Sequence, residues 1–127
     1  MHECIAKRET NMILAEKTDT EILAVVEPLM DSVMEGSKNI DHATHTKNFT
    51  ERMRSIVTPE HLEQVCTQYQ EKWGYFTERE VVAVFRRQDS VAVVWRQAAT
   101  KSSDEFVAEA CVVEEHGRFL IDHAMIW

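Results

Sequence analysis

The sequence predicts an α+β fold: about three N-terminal helices packed on a curved antiparallel four-stranded meander sheet, a cone with an interior pocket. Three observations predict it. Apolar residues recur at helical spacing as far as Trp73. From Arg79 onward Val, Phe and Trp dominate and the breakers are evenly spaced. The connections in this second half are short enough for hairpins. Helices first and strands afterwards is an α+β order, not an alternating α/β one. A chain of 127 residues suits one domain and needs no disulfide or metal to hold a core. Residues 18–127 are expected to form that domain. Residues 1–17 are polar and mixed, and read as a leader or as the start of helix one.

The first helix is expected over Thr18 to Glu35, with Ile22, Val26, Leu29, Met30 and Val33 on one face. Thr18 or Asp19 can cap its start, Gly36 can end it, and Pro28 should kink it. A second helix is expected from Asp41 to about Ile56, with Phe49, Met53, Ile56 and Val57 as its apolar stripe. Extending that stripe backwards reaches His45 and His42, so both imidazoles should point inward. The third helix opens at Thr58-Pro59-Glu60, a capping hydroxyl, a proline at the first helical position and an acid in the first turn. Leu62, Val65, Cys66, Tyr69 and Trp73 form its buried face, and Gly74 ends it.

Strands are expected at about 79–88, 90–99, 105–115 and 118–127. Both faces of the sheet carry apolar residues. In the last strand Phe119, Ile121, His123, Met125 and Trp127 alternate with Leu120, Ala124 and Ile126. In the third, Phe106, Ala108, Ala110 and Val112 oppose Val107, Cys111 and Val113. A sheet with helices on one side should be polar on its free face. This one is not, so it is expected to pack on a second copy of itself as a homodimer.

Composition narrows the function classes. A net charge of −8 argues against nucleic acid and anionic membrane surfaces as partners. Arg86, Arg87 and Arg96 read as solvated strand positions. Three cysteines without C-x-x-C spacing are not a disulfide framework and suit a reducing compartment. Cys66 and Cys111 read as small core residues. Met1 to Lys17 lacks an apolar run of signal-peptide length, and no stretch reaches the ~20 apolar residues of a membrane span. Cytoplasmic residence is the expectation.

Several segments, taken in order, resemble the cone-shaped α+β superfamily named after nuclear transport factor two, also called cystatin-like or SnoaL-like. They are TEILAVVEPLMDSVMEG at 20–36, His45 to Phe49 leading to Met53, Thr58-Pro59-Glu60-His61-Leu62, Trp73-Gly74 and the closing Glu115 to Ile121. The chain is most similar to the small uncharacterised prokaryotic domains of that group, over roughly residues 18–127. The resemblance implies a curved sheet around helices with a pocket between them. It implies a range of roles, from isomerases, dehydratases and cyclases to adaptors and homodimers without assigned activity. It carries over no catalytic residue.

The candidate pocket residues are His42, His45, Tyr69, Trp95 and His123. Imidazole is suited to proton transfer near neutral pH, with Asp41 or Asp122 to orient it, and equally suited to a hydrogen-bonded place at the edge of a core. Tyr69 is the aromatic expected to turn a hydroxyl toward a cavity. Trp95 joins the aromatics that can wall a pocket, a core or an interface. No Gly-rich phosphate loop, nucleophile elbow or metal-ligand spacing occurs, so neither a cofactor nor a metal is expected. Three readings follow. The first is a homodimeric module holding an apolar small molecule. The second is a self-association or adaptor domain acting through the sheet face. The third is an isomerase-, dehydratase- or cyclase-like enzyme using a pocket His or Asp.

Overall fold

A computed structural model describes residues 13–127. Cys4 and most of the expected leader lie outside the described residues. A 3-10 turn at Leu14–Glu16 precedes helices α1 (Asp19–Asn39), α2 (His42–Thr46), α3 (Glu51–Ile56) and α4 (Pro59–Trp73). Strands β1 (Phe76–Arg86), β2 (Ser90–Ala99), β3 (Ser102–Glu115) and β4 (Arg118–Ile126) follow as an antiparallel meander in sequence order.

Helix α1 starts at a full capping box. Thr18 Oγ1 accepts from the Glu21 amide, and the Glu21 carboxylate accepts from the Thr18 amide. It runs on through Pro28, which faces solvent, and past Gly36. The glycine is therefore not a terminator. The helix ends four residues later in a Schellman arrangement, with the Ile40 amide on the Ser37 carbonyl and the Asp41 amide on the Gly36 carbonyl. Ile40 takes the left-handed conformation (φ 50, ψ 50) usually given to glycine. Gly36 has another use. A Cβ there would lie 2.3 Å from the His45 backbone nitrogen, so its missing side chain is where α2 crosses α1.

The single second helix expected over 41–56 is two helices. Between them, residues 48–50 reach the sheet. The Ile121 amide donates to the Asn48 carbonyl at 2.7 Å and the Thr50 amide donates to the Ile121 carbonyl at 2.9 Å. Phe49 and Ile121 thus form a parallel bridge. Thr50 then caps α3 through the Met53 amide. The hydrogen bonds to β4 replace the intrahelical ones that 47–50 gives up.

The sheet curls because its ladders slip. Register shifts fall at Phe76/Arg79 and Val81/Ala83 of β1, at Gln97/Ala99 of β2, and opposite Asp122 of β4. Each adds twist and bend. Gln97 is fully buried, and its amide donates to the carbonyls of Thr77 and Glu78, which lie in the first of these slips. The β3–β4 hairpin turns on His116 (φ 54) and Gly117 (φ 76), both of positive φ, as a type I′ turn requires.

The core lies between the concave face and α1. Ile22, Val26 and Met30 are fully buried against Val91, Val93 and Trp95 of β2 and Ala108, Ala110 and Val112 of β3. A polar lock ties α1 to β1. Arg79, 13% exposed, bridges Glu27 (2.5 Å) and Asp31 (2.7 Å) and lies 5.3 Å from the Trp95 ring centroid.

Candidate ligand-binding site

Between α1, α2, α3 and α4 on one side and the end of β4 on the other lies a cavity of about 580 Å³. Two faces of helices build most of it. On α1, Met30, Val33 and Ser37 continue the core stripe begun by Ile22 and Val26. On α4, Leu62, Cys66, Tyr69 and Trp73 recur at helical spacing and form the opposite wall. Phe49, Met53 and Val57 roof it, and Phe76, Ala124 and Ile126 close it from the sheet. An aromatic cluster seals one end: Tyr69 stacks on Phe76 at 4.7 Å, and Trp73 packs on Phe106 at 4.7 Å.

Polar groups enter this apolar space in two places. Ser37 Oγ sits 2.5 Å from the Tyr69 hydroxyl and 3.4 Å from the Cys66 sulfur. Gln70 supports the group, donating to the Ser37 and Lys38 carbonyls at 3.2 Å. Burial pushes both the Cys66 thiol and the Tyr69 phenol up from their ordinary values, with hydrogen bonds from Ser37 opposing. Both stay protonated at neutral pH.

The second polar entry is His45. Its Nδ1 lies 2.9 Å from the Val33 carbonyl. A carbonyl only accepts, so Nδ1 carries the hydrogen. Burial holds the His45 pKa below its usual value, with the Val33 hydrogen bond opposing and His42 adding to the fall. The neutral ring therefore keeps an unprotonated Nε2, an acceptor on the cavity wall.

The five sequence candidates separate. His45 and Tyr69 line the cavity. His42 does not: its Nε2 donates to the Val57 carbonyl at 2.8 Å and pins α2 to the segment before α4. Trp95 is fully buried beneath α1, and its indole N–H donates to Glu27 at 3.1 Å, away from the cavity. His123 lies on the opposite, convex face of the sheet beside Cys111, 3.2 Å from Glu109. Asp122 is the cause. It is the extra residue of the β4 bulge, so strict alternation fails there, and Ile121 and His123 face opposite ways. Asp122 itself accepts from Thr50 and Arg52, and these bonds lower its pKa against the opposing effect of burial. Asp41 is occupied in capping α2 through Thr44.

Sequence reading missed Ser37 and Met34, and gave Gly36 the role of a helix terminator. The signal for Ser37 was present: positions 26, 30, 33 and 37 are one helical stripe, and a serine ending an apolar stripe marks a polar group entering the interior. Among the described residues no group of three or more His, Cys, Asp and Glu gathers closely enough to hold a metal ion. Cys66 and Cys111 are free thiols. No helix among the described residues is long and apolar enough to cross a membrane. Two of the three arginines noted in the sequence are paired, Arg86 with Asp19 and Arg96 with Glu80 and Glu105.

Solved structures share this architecture. An NTF2-like protein of unknown function from Pseudomonas putida KT2440 superposes with a TM-score of 0.58 at 11% identity, over 87% of this chain and 88% of that one. The fold is NTF2-like. A protein of unknown function with a cystatin-like fold from Methylobium petroleophilum PM1 gives a TM-score of 0.50 at 17% identity, over 82% and 75% of the two chains. Bd1075 of Bdellovibrio bacteriovorus gives 0.51 at 12% identity, covering 86% of this chain, which spans 42% of that protein. Identities this low speak to fold alone. No protein-family profile and no curated protein sequence matches the chain.

Proposed function

We propose that this NTF2-like chain, as one domain over residues 18–127, is a binding module whose cone takes an apolar small molecule. The observation that carries the reading is the cavity of about 580 Å³, walled by Met, Val, Leu and aromatic side chains and entered by few polar groups. Ligand sites have this size and this ratio of apolar wall to directing polar groups. Ser37 and Tyr69 satisfy each other, which leaves His45 Nε2 as an inner acceptor for a ligand donor. Two measurements test this. A neutral apolar dye such as Nile red should bind the purified protein one to one, and Met34→Trp, which fills the cavity, should abolish that binding. Equal binding by the variant, or no binding by the parent, sinks the reading. His45 is also the residue an enzymatic reading would rest on.

A second reading concerns the convex face, and a specific observation favours it. Phe85, Met125 and Trp127 are each more than half exposed beside half-buried Val94, Val107 and Val113. Four strands about 4.8 Å apart and about ten residues long offer on the order of 600 Å² per partner. Two such faces reach the lower end of stable interfaces. We therefore propose a homodimer through this face. Light scattering at micromolar concentration should give twice the chain mass, and Val94→Lys should give the single mass. A parent protein that stays monomeric overturns the proposal. Free Cys66 and Cys111 fit the cytoplasm, which we propose as its compartment.

A further inference from the structure

The cavity carries a charge signature opposite to that of the chain. Asp and Glu supply 22 of the 127 residues, yet among the described residues none lines the cavity. The nitrogen bases do. The pattern is sharpest on α4, whose sides differ. Leu62, Cys66, Tyr69 and Trp73 form the apolar wall. The neighbouring stripe at i, i+4, i+7, i+11 is His61, Val65, Gln68 and Lys72, exposed residues that form the rim of the same cavity. The acids of this helix, Glu60, Glu63 and Glu71, are all absent from the lining.

The rim bases are not consumed by the protein itself. Neither His61 nor Lys72 makes an ion pair among the described residues. Neither has an acid three or four residues away on the cavity side of α4, the spacing at which a helical ion pair forms. Lys72 lies along the Trp73 ring, with its ammonium 5.6 Å from the ring centroid at the edge of the apolar wall. Its stem covers apolar surface while its head stays wet. Inside, the walls are rich in methionine, whose unbranched thioethers adapt to a flexible chain.

An apolar interior with a positive rim and no carboxylate selects among apolar ligands by their head group. Resting on the cavity reading above, we propose that the ligand is an amphiphilic carboxylate. Its hydrocarbon body occupies the methionine-rich cavity and its anionic end meets Lys72 and His61 at the rim. A neutral alcohol of the same length gains the apolar contacts without the charge. A cationic amphiphile meets Lys72 as a like charge.

Calorimetric titration of the full chain at low ionic strength with decanoate, decanol and decyltrimethylammonium tests this. Decanoate should bind about three- to fivefold tighter than decanol, the scale of one exposed charge pair. Decyltrimethylammonium should bind more weakly than decanol. Added salt should narrow the differences. Lys72→Glu should reverse the order of the two ions, and an unchanged circular dichroism spectrum and urea midpoint report that the variant is folded. If all three bind alike, or Lys72→Glu leaves their order intact, the head-group proposal is overturned while the cavity reading stands. If none of the three binds, both fall.

Discussion

Replacing Gly36 by Ala sets two effects of opposite sign against each other. Within a helix, Ala is favoured over Gly by about 1 kcal/mol, so α1 taken alone would be stabilised. The crossing with α2 opposes this. The new Cβ would stand 2.3, 2.4 and 2.6 Å from the backbone nitrogen, Cα and Cβ of His45. Ordinary contact begins near 3.4 Å, so α2 must retreat by 3.4 − 2.3 = 1.1 Å. These are mostly backbone atoms, and no rotamer change can absorb the overlap. Overpacking of this kind costs about 1–3 kcal/mol. Retreat of α2 also stretches the His45–Val33 hydrogen bond, worth about 1 kcal/mol. The expected net loss is about 1–3 kcal/mol. Urea unfolding followed by tryptophan fluorescence should show a midpoint lowered by about 1 M, given a slope of ~1–3 kcal/mol/M. A Gly36→Ala protein as stable as the parent, or more so, would refute the close crossing that sets the place of His45.

Two further outcomes follow from the polar contacts. Glu27→Ala strands the buried Trp95 indole N–H and leaves Arg79 with Asp31 as its one carboxylate partner among the described residues, at a cost of about 2–3 kcal/mol in denaturant unfolding. Glu27→Gln, which keeps an acceptor for Trp95, should lose less, and equal losses would count against the indole bond. His45, desolvated, holds a pKa below the usual 6.5, so the unfolded chain binds the extra proton first as pH falls. Its contribution is complete above about pH 6.5 and is lost between that pH and the lower folded pKa. His45→Asn should flatten that part of the stability–pH curve. A His45 ring that titrates at or above 6.5 by NMR would contradict the burial assigned to it.

Local signals made the starts of the first and last helices and the order of the elements legible. Thr18 with Glu21, Thr58 with Pro59, and His116 with Gly117 act within a few residues of themselves, and the chain obeys them. The inner face of β3 was legible for the same reason, since no bulge interrupts Phe106 to Val112 and alternation holds. The wall of α4 followed from its 3.6-residue period.

Three features answered to partners distant in sequence. The helix expected over 41–56 broke because the Ile121 backbone, some seventy residues away, takes the hydrogen bonds of residues 48–50. His123 turned outward because Asp122 bulges to meet Thr50 and Arg52. Gly36, in place to end a helix, instead made room for His45. The amino-acid pattern by itself determined the order of helices, strands and turns, the break at 47–50 apart, because most of those choices are settled by short-range sterics and by the period of burial. Only the tertiary structure decided which histidine reaches the cavity, because a one-residue slip in a strand or a single crossing of two helices reverses the direction of a side chain without altering the local pattern.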